Sequence, residues 1–277
     1  MLATWLAGAL GAASNKIATL CGGKRKVIMT SIFLFVIVWI GENLHNNIAS
    51  NIERVADFLE GFGDEYFNNS DNTEAGNDKQ FLERYKSVLS SKSSEETMAV
   101  LARWEPPHGK FRFRHPWKQY LKIGNLTRFC AYKIEALSVY LRNSKTPYEF
   151  RSRIQESCTN ISLESGKALR ESSLMIKKMS KSSTPKSHIL NAKNASESLK
   201  SILRTNPWEG ADHFEIIPAS TVASLLIDIV ICVEQICEAV DELASLANFV
   251  PCDLLHRGIV QLISDIDGSV HIVTVSE

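Results

Sequence analysis

The sequence predicts an all-α protein in which a residual N-terminal transmembrane region, of one helix or two, precedes a multi-helix cytosolic domain. Two patterns predict this: an uncharged apolar run lies within residues 27–41, and apolar side chains then recur at intervals of three and four. We place the residual transmembrane region at 1–42 and the helical domain at 43–250. The tail, 251–277, alternates around Asp267-Gly268 and fits either a small hairpin or an unstructured segment.

The strongest membrane signal is the run Val27–Ile40, which reads VIMTSIFLFVIVWI. A bilayer core needs about 20 helical residues, so a run of this length also fits a buried core helix or the apolar part of a signal peptide. Three details favour a transmembrane helix: there is no polar stripe, Trp39 lies at one end, and Lys24-Arg25-Lys26 precede the other. We therefore predict a span over 27–41.

The segment Leu2–Ser14 is rich in glycine and alanine, the composition that lets membrane helices pack closely. As a spanning helix it is marginal. A cleaved signal peptide is the alternative, but the segment lacks a basic start and a second apolar run follows it.

Two signals disagree about which side of the membrane holds the C-terminal domain. Basic residues cluster before the span, which places the N-terminal side in the cytosol and the domain outside. The six cysteines form no CxxC pair and no compact disulfide framework, which predicts reduced, mostly buried thiols in the cytosol. These two signals leave both orientations open at this point.

The region after the span reads as a series of helices. Leu44, Ile48, Ile52, Val55 and Leu59 predict an amphipathic helix over 43–60, which Gly61 and Gly63 and then the polar stretch 68–78 end. A short helix around residues 81–89 and helices over 94–103, 117–143, 147–180, 187–204 and 221–247 follow. The 147–180 segment carries a heptad seam, which predicts packing on another helix of the same chain or of a partner. The apolar stripe of 221–247 lacks basic residues, so we predict a core helix and not a second span.

The most distinctive local feature is Trp104-Glu105-Pro106-Pro107-His108-Gly109, followed by Lys110-Phe111-Arg112-Phe113-Arg114-His115-Pro116-Trp117. The prolines end the preceding helix and Gly109 permits a turn, which predicts a rigid corner with Trp104 and Trp117 buried at its ends. The alternation of aromatic and basic residues instead suggests a surface for an anionic partner. The candidate basic surface comprises Lys110, Arg112, Arg114 and Lys118.

Charge is balanced overall, with 31 basic and 31 acidic residues, and this argues against nucleic acid as a partner. The distribution is uneven, because residues 103–153 hold twelve basic and three acidic side chains. Either this segment binds an anionic partner, or its charges pair with acidic residues such as those of 221–247.

Nothing in the sequence predicts catalysis, a cofactor or a metal site. The seven histidines are scattered singly. Cys21-Gly22-Gly23-Lys24 lacks the earlier glycine of a phosphate-binding loop. We therefore predict that the protein is not an enzyme.

Three blocks resemble the plant aluminium-activated malate transporter family, and they occur in that family's order. Trp39-Ile40-Gly41-Glu42-Asn43-Leu44-His45 is similar to the W-x-G-E-x-L-H sequence at the end of the family's last membrane helix. Residues 95–120 resemble its WEPPHG block with the downstream PW-x-x-Y. Residues 221–249 are similar to a late cytosolic helix.

The resemblance implies a dimeric anion channel of the plasma or vacuolar membrane, with six membrane helices per subunit, that conducts malate and inorganic anions. The opening WLAGALG is similar to an earlier membrane helix of the family, and only a few residues separate it from the last one. We expect this truncated chain not to conduct alone, because the missing helices would supply the pathway. The alternative is a membrane-anchored interaction module, as a homodimer or paired with full-length relatives.

Overall fold

The computed structural model describes residues 39–67, 82–105, 107, 109–111, 114–142, 148–205 and 213–251. Their main architecture is a helical bundle, as the sequence predicts. Its helices are α1 (Ile40–Phe67), α2 (Lys86–Leu89), α3 (Lys92–Ala102), α4 (Trp117–Arg142), α5 (Tyr148–Lys178), α6 (Thr184–Arg204) and α7 (His213–Leu246). The predicted span 27–41, apart from its last three residues, and the predicted tail beyond Pro251 lie outside the described residues.

Helices α1 and α5 form the centre of the bundle, and two glycines bring them close together. A Cβ atom on Gly63 of α1 would lie 2.9 Å from Thr159 Cγ2 of α5. One on Gly166 of α5 would lie 3.2 Å from the carbonyl oxygen of Ala56. The prediction that Gly61 and Gly63 end this helix was therefore wrong, because Gly63 serves close packing inside a helix that continues to Phe67.

The heptad seam of α5 is confirmed as a packing surface. All eight residues of the predicted seam are buried: Ile154, Cys158, Ile161, Ser165, Ala168, Ser172, Met175 and Met179. Helices α1, α6 and α7 of the same chain pack against α5. The two serines of the seam are both fully buried but differ in hydrogen bonding. Ser172 Oγ donates to the Ala168 carbonyl oxygen at 2.9 Å and lies 3.2 Å from Cys237 Sγ, whereas Ser165 Oγ has no hydrogen-bond partner among the described residues.

Among the described residues, one helical segment is long and apolar enough to cross a membrane, Ile216–Leu246 within α7. We interpret it as a core helix, because α4, α5 and α6 pack against it and lysines of α4 and α6 bind its carboxylates. Such ion pairs suit a helix with one buried and one solvated face. The pairs are Lys122–Glu242, Lys133–Asp228, Lys186–Asp241 and Lys193–Glu234.

Two short strands close the end of the bundle where α5 and α7 finish. Strand β1 (Ser180–Lys181) pairs in parallel with β2 (Val250–Pro251), with Ser180 opposite Val250. The Val250 amide also donates to the Met179 carbonyl oxygen at 3.1 Å. This contact was not predicted, and it holds the C-terminal ends of α5 and α7 together.

A buried ion pair joins α3 to α4. Arg128 Nη1 lies 2.6 Å from Glu95 Oε2, and the two residues are only 5% and 1% exposed. The other carboxylate oxygen of Glu95 accepts hydrogen bonds from Asn51 Nδ2 of α1 at 2.8 Å and Ser91 Oγ at 2.7 Å. The pair thus ties three helices together, since every charged group in it has a partner.

Replacing Glu95 with Gln should destabilise the protein strongly, because Arg128 would keep a buried charge without its counter-ion. We expect the free energy of unfolding to fall by about 3–5 kcal/mol. Chemical unfolding of the full chain in detergent, followed by helical circular dichroism, measures this. Glu96→Gln is the matched control, since Glu96 is exposed and pairs only loosely with Lys92; it should change stability by less than about 0.5 kcal/mol. Equal effects of the two variants would contradict the role of the buried pair.

Candidate functional site

The proline-rich corner connects α3 to α4 and lies against the first turn of α1. The prediction that Gly109 permits the turn is consistent with its positive φ of 52°, a conformation that glycine adopts without strain. Pro107 is exposed on the corner. Pro106, His108 and Arg112 lie outside the described residues.

The corner holds the start of α1 through a carboxylate. Glu105 Oε1 accepts a hydrogen bond from the backbone amide of Gly41 at 2.7 Å. The first amides of a helix have no partner within the helix and carry a partial positive charge, so an acceptor with negative charge suits this position. Glu105 therefore caps a helix that begins 64 residues earlier in the chain.

Gly41 is required for space. A Cβ atom at this position would lie 2.5 Å from Glu105 Oε2 and 2.6 Å from Trp117 Cη2. Both distances are shorter than any stable contact, so only glycine lets the corner approach this closely. We call the three residues Gly41, Glu105 and Trp117 the clamp.

A cluster of rings lies behind the clamp. His45 Nδ1 is 2.9 Å from the Tyr120 hydroxyl, and His115 Nε2 is 3.2 Å from the same oxygen. Phe111 packs edge-on against both imidazoles, with centroid distances of 5.4 Å to His45 and 5.1 Å to His115. Trp117 contacts His115 with a centroid distance of 4.5 Å. These rings pack α1, the corner and the first turn of α4 together.

The buried environment keeps both imidazoles neutral. Burial, aided by the positive charge of Lys110, lowers the pKa of His45 to about 4. Burial and the proximity of His45 lower the pKa of His115 to about 4 as well. Burial also raises the pKa of the Tyr120 phenol, which therefore keeps its proton.

The Tyr120 hydroxyl bridges the two imidazoles. Because the phenol has a single proton, it donates to one of the two rings and accepts from the other. Backbone groups of Ile176 and Lys177 lie beside His45 and favour its protonated form, against the effect of burial. The ring cluster therefore also contacts the C-terminal end of α5.

One prediction about the corner was wrong. Trp104 is 80% exposed, whereas Trp117 is buried as predicted. His115 is buried beside Phe111 and does not join the exposed basic residues. The rest of the predicted alternation depends on Arg112 and Phe113, which lie outside the described residues. Arg114 has a positive φ of 63°.

The remaining residues of the first block divide between the core and the surface. Leu44 is fully buried in the core, while Glu42 is exposed and Trp39 is 59% exposed. Pro116 is half-buried, next to Trp117. Within the candidate basic surface, Lys110, Arg114 and Lys118 are exposed.

The basic segment divides into two parts. Lys122 and Lys133 of α4 pair with Glu242 and Asp228 of α7, as one of the two sequence interpretations expects. Lys110 and Lys118, nearer the clamp, form no ion pair within the described part of the chain. The pairing interpretation therefore holds for these lysines of α4, and the anionic partner stays a prediction for Lys110 and Lys118.

Sequence reasoning missed the buried pair of Glu95 and Arg128. It placed Glu95 in the first turn of a helix, where the helix dipole favours an acid, and this position is correct. One available signal was Gly124 of α4, because a Cβ there would collide with a carboxylate oxygen of Glu95. A glycine inside a strong helix pattern often marks close approach by a neighbour.

Gly41→Ala tests the clamp. Helix propensity alone predicts a gain in stability of about 0.5–1 kcal/mol. The clamp predicts a loss of about 1–3 kcal/mol, because the added methyl group displaces Glu105 and Trp117. Thermal unfolding of the full chain with tryptophan emission measures the sign. Glu42→Ala, at the exposed neighbouring position, should have little effect, and a stabilised Gly41→Ala variant would rule the clamp out.

Comparisons with known proteins identify the family of the chain. A sequence model of the family described as Aluminium activated malate transporter matches residues 10–209. Aluminum-activated malate transporter 1 of Arabidopsis thaliana is 42% identical over 241 residues, which cover 86% of this chain and 49% of the relative. Aluminum-activated malate transporter 1 of Triticum aestivum is 37% identical over 246 residues, covering 86% and 52% respectively.

The chain thus spans about half the length of the curated relatives it matches. The match includes the first turn of α1 and the proline-rich corner, the two parts that the clamp joins. It is a match to transporters and not to enzymes. The chain belongs to the aluminium-activated malate transporter family.

Proposed function

We propose that this chain is a membrane-anchored part of a malate and anion channel, whose described residues form its cytosolic helical domain. The observation that carries the proposal is the position of α1. This helix starts at Ile40, the last residue of the apolar run, and its buried face leads directly into the core of the bundle. If a membrane helix ends at residue 41, the clamp would therefore couple a movement of that helix to a movement of the domain.

The cysteines support a cytosolic domain. Cys130, Cys158, Cys232 and Cys237 are free and buried, as expected for reduced thiols in the cytosol. The basic residues before the apolar run still favour the opposite orientation. In the proposed topology, further membrane helices of the channel would change which side that basic loop occupies.

We further propose that the chain does not conduct anions alone. A dianion that crosses a membrane needs cationic side chains or positive helix ends in the pathway to offset the loss of its water. One polar groove of the described domain is lined by arginines and carboxylates together. Arg170 in that groove binds Asp57 at 2.9 Å and Glu60 at 2.6 Å, so its charge is already compensated.

A second candidate function is regulation of a longer relative by pairing with it. The clamp supports this alternative, because it would hold the domain at the membrane end of α1 in any chain that pairs with this one. This chain could then occupy the place of a subunit without completing the pathway. Its partners would be the lipid bilayer and full-length subunits or a second copy of the chain.

Voltage-clamp recording in oocytes separates these functions. Expression of the chain alone should give malate currents no larger than those of uninjected cells. Co-expression with a full-length relative should change that relative's current if the chain pairs with it. Gly41→Ala is the disruptive variant and Glu42→Ala the matched control, with surface expression measured for both.

Each outcome has a distinct meaning. Malate currents from the chain alone would overturn the proposal that it does not conduct. An unchanged current from the relative, with both proteins at the surface, would overturn the regulatory alternative and leave an anchored domain without that role.

A further inference from the structure

The end of the bundle that holds the clamp carries an unusual surface. We call it the rim, and it consists of four cations and two tryptophans: Arg103, Lys110, Lys118, Lys178, Trp39 and Trp104. All six side chains are exposed, Trp104 by 80% and Trp39 by 59%. Large exposed indoles beside cations are typical of membrane–water interfaces, where the ring meets the headgroup region and the charge meets phosphate.

Contacts within the bundle bring these residues to one end. Glu105 binds the first turn of α1, so Arg103 and Trp104 lie beside that turn. Trp117 also contacts Gly41, which places Lys118 in the adjoining first turn of α4. The positive charge of Lys110 lowers the pKa of His45, and backbone groups of Ile176 and Lys177 lie beside the same ring. Lys178, the last residue of α5, therefore lies at this end as well.

The four cations form no ion pair within the described part of the chain, whereas lysines farther along the bundle bind carboxylates of α7, for example Lys133 with Asp228 and Lys122 with Glu242. Two carboxylates also lie at this end: Glu42 is exposed, and Glu105 keeps its negative charge although it accepts a hydrogen bond from the neutral amide of Gly41. The four cations outnumber these two acids, so the rim has a net positive charge.

Trp39 fixes the position of the rim relative to a membrane. It lies within the apolar run, one residue before α1 begins, so a membrane boundary at the end of that run coincides with the rim. We propose that the rim binds the anionic lipid headgroups of the cytosolic leaflet and thereby fixes the orientation of the domain against the bilayer. This proposal rests on the membrane anchor proposed above. Anionic lipids attract basic residues within about a Debye length of the surface.

Hydrogen–deuterium exchange of the full chain in lipid nanodiscs tests the rim. One set of discs contains phosphatidylcholine alone, and the other also contains phosphatidylserine. We expect amides of residues 103–118 and 176–181 to exchange about fivefold or more slowly in discs with phosphatidylserine, since several cations act together near the surface. Exchange at the opposite end of the bundle should not depend on the lipid.

Two double variants with the same change of charge provide the comparison. Lys110→Glu with Lys118→Glu reverses two rim cations and should abolish the dependence on phosphatidylserine. Arg153→Glu with Arg204→Glu changes two exposed cations without ion pairs at the opposite end of the bundle, and it should preserve the dependence. Arg153 and Lys178 are 25 residues apart on α5, a distance of about 38 Å along a helix.

The other outcomes overturn the proposal in distinguishable ways. Incorporation into discs with equal exchange in both lipids would contradict the rim and leave the anchor intact. Added malate could instead slow amide exchange of the rim in phosphatidylcholine discs while phosphatidylserine has no effect. That result would show that the rim binds a soluble dianion and not the lipid headgroups. Failure of the chain to incorporate into discs would contradict the anchor and the rim together.

Discussion

The hydrogen bond from the Gly41 amide to Glu105 is the contact on which the arrangement of this end of the molecule depends. It satisfies a helix terminus that would otherwise lack an acceptor, and it does so with a residue from a distant part of the chain. Trp117 can pack against α1 only because position 41 has no side chain. Helix start, corner and ring cluster therefore form one unit, and displacement of any of them disturbs the others.

Much of the helical architecture followed from apolar spacing. The predicted helix over 117–143 corresponds to Trp117–Arg142, and the prediction over 147–180 corresponds to Tyr148–Lys178. The end of α1 was mispredicted because a sequence shows the conformational cost of a glycine and not the neighbour that makes it favourable. The packing of Gly63 on Thr159 supplies that neighbour. The pairing of β1 with β2 was equally inaccessible, since two-residue strands have no periodicity.

The candidate site was located by its motifs, but its internal contacts were not. Nothing in the spacing of Gly41 and Glu105 indicates that they touch, because contact across 64 residues depends on how several helices pack. Burial of Trp104 was a reasonable expectation for an indole, but Glu105 and Trp117 are the side chains that lie against Gly41, and Trp104 is exposed. The positive φ of Arg114 left no signal in the sequence, since arginine rarely adopts this conformation.

The central claim is that a helical domain on the cytosolic side continues directly from a membrane segment that ends near residue 41. Protease protection in sealed microsomes, whose outer face is the cytosolic one, tests it most directly. With an epitope placed after Glu277, protease should remove the epitope and cleave the domain without detergent, leaving a short membrane-bound N-terminal fragment. Protection of the epitope and domain until detergent is added would place the domain in the lumen and contradict the claim.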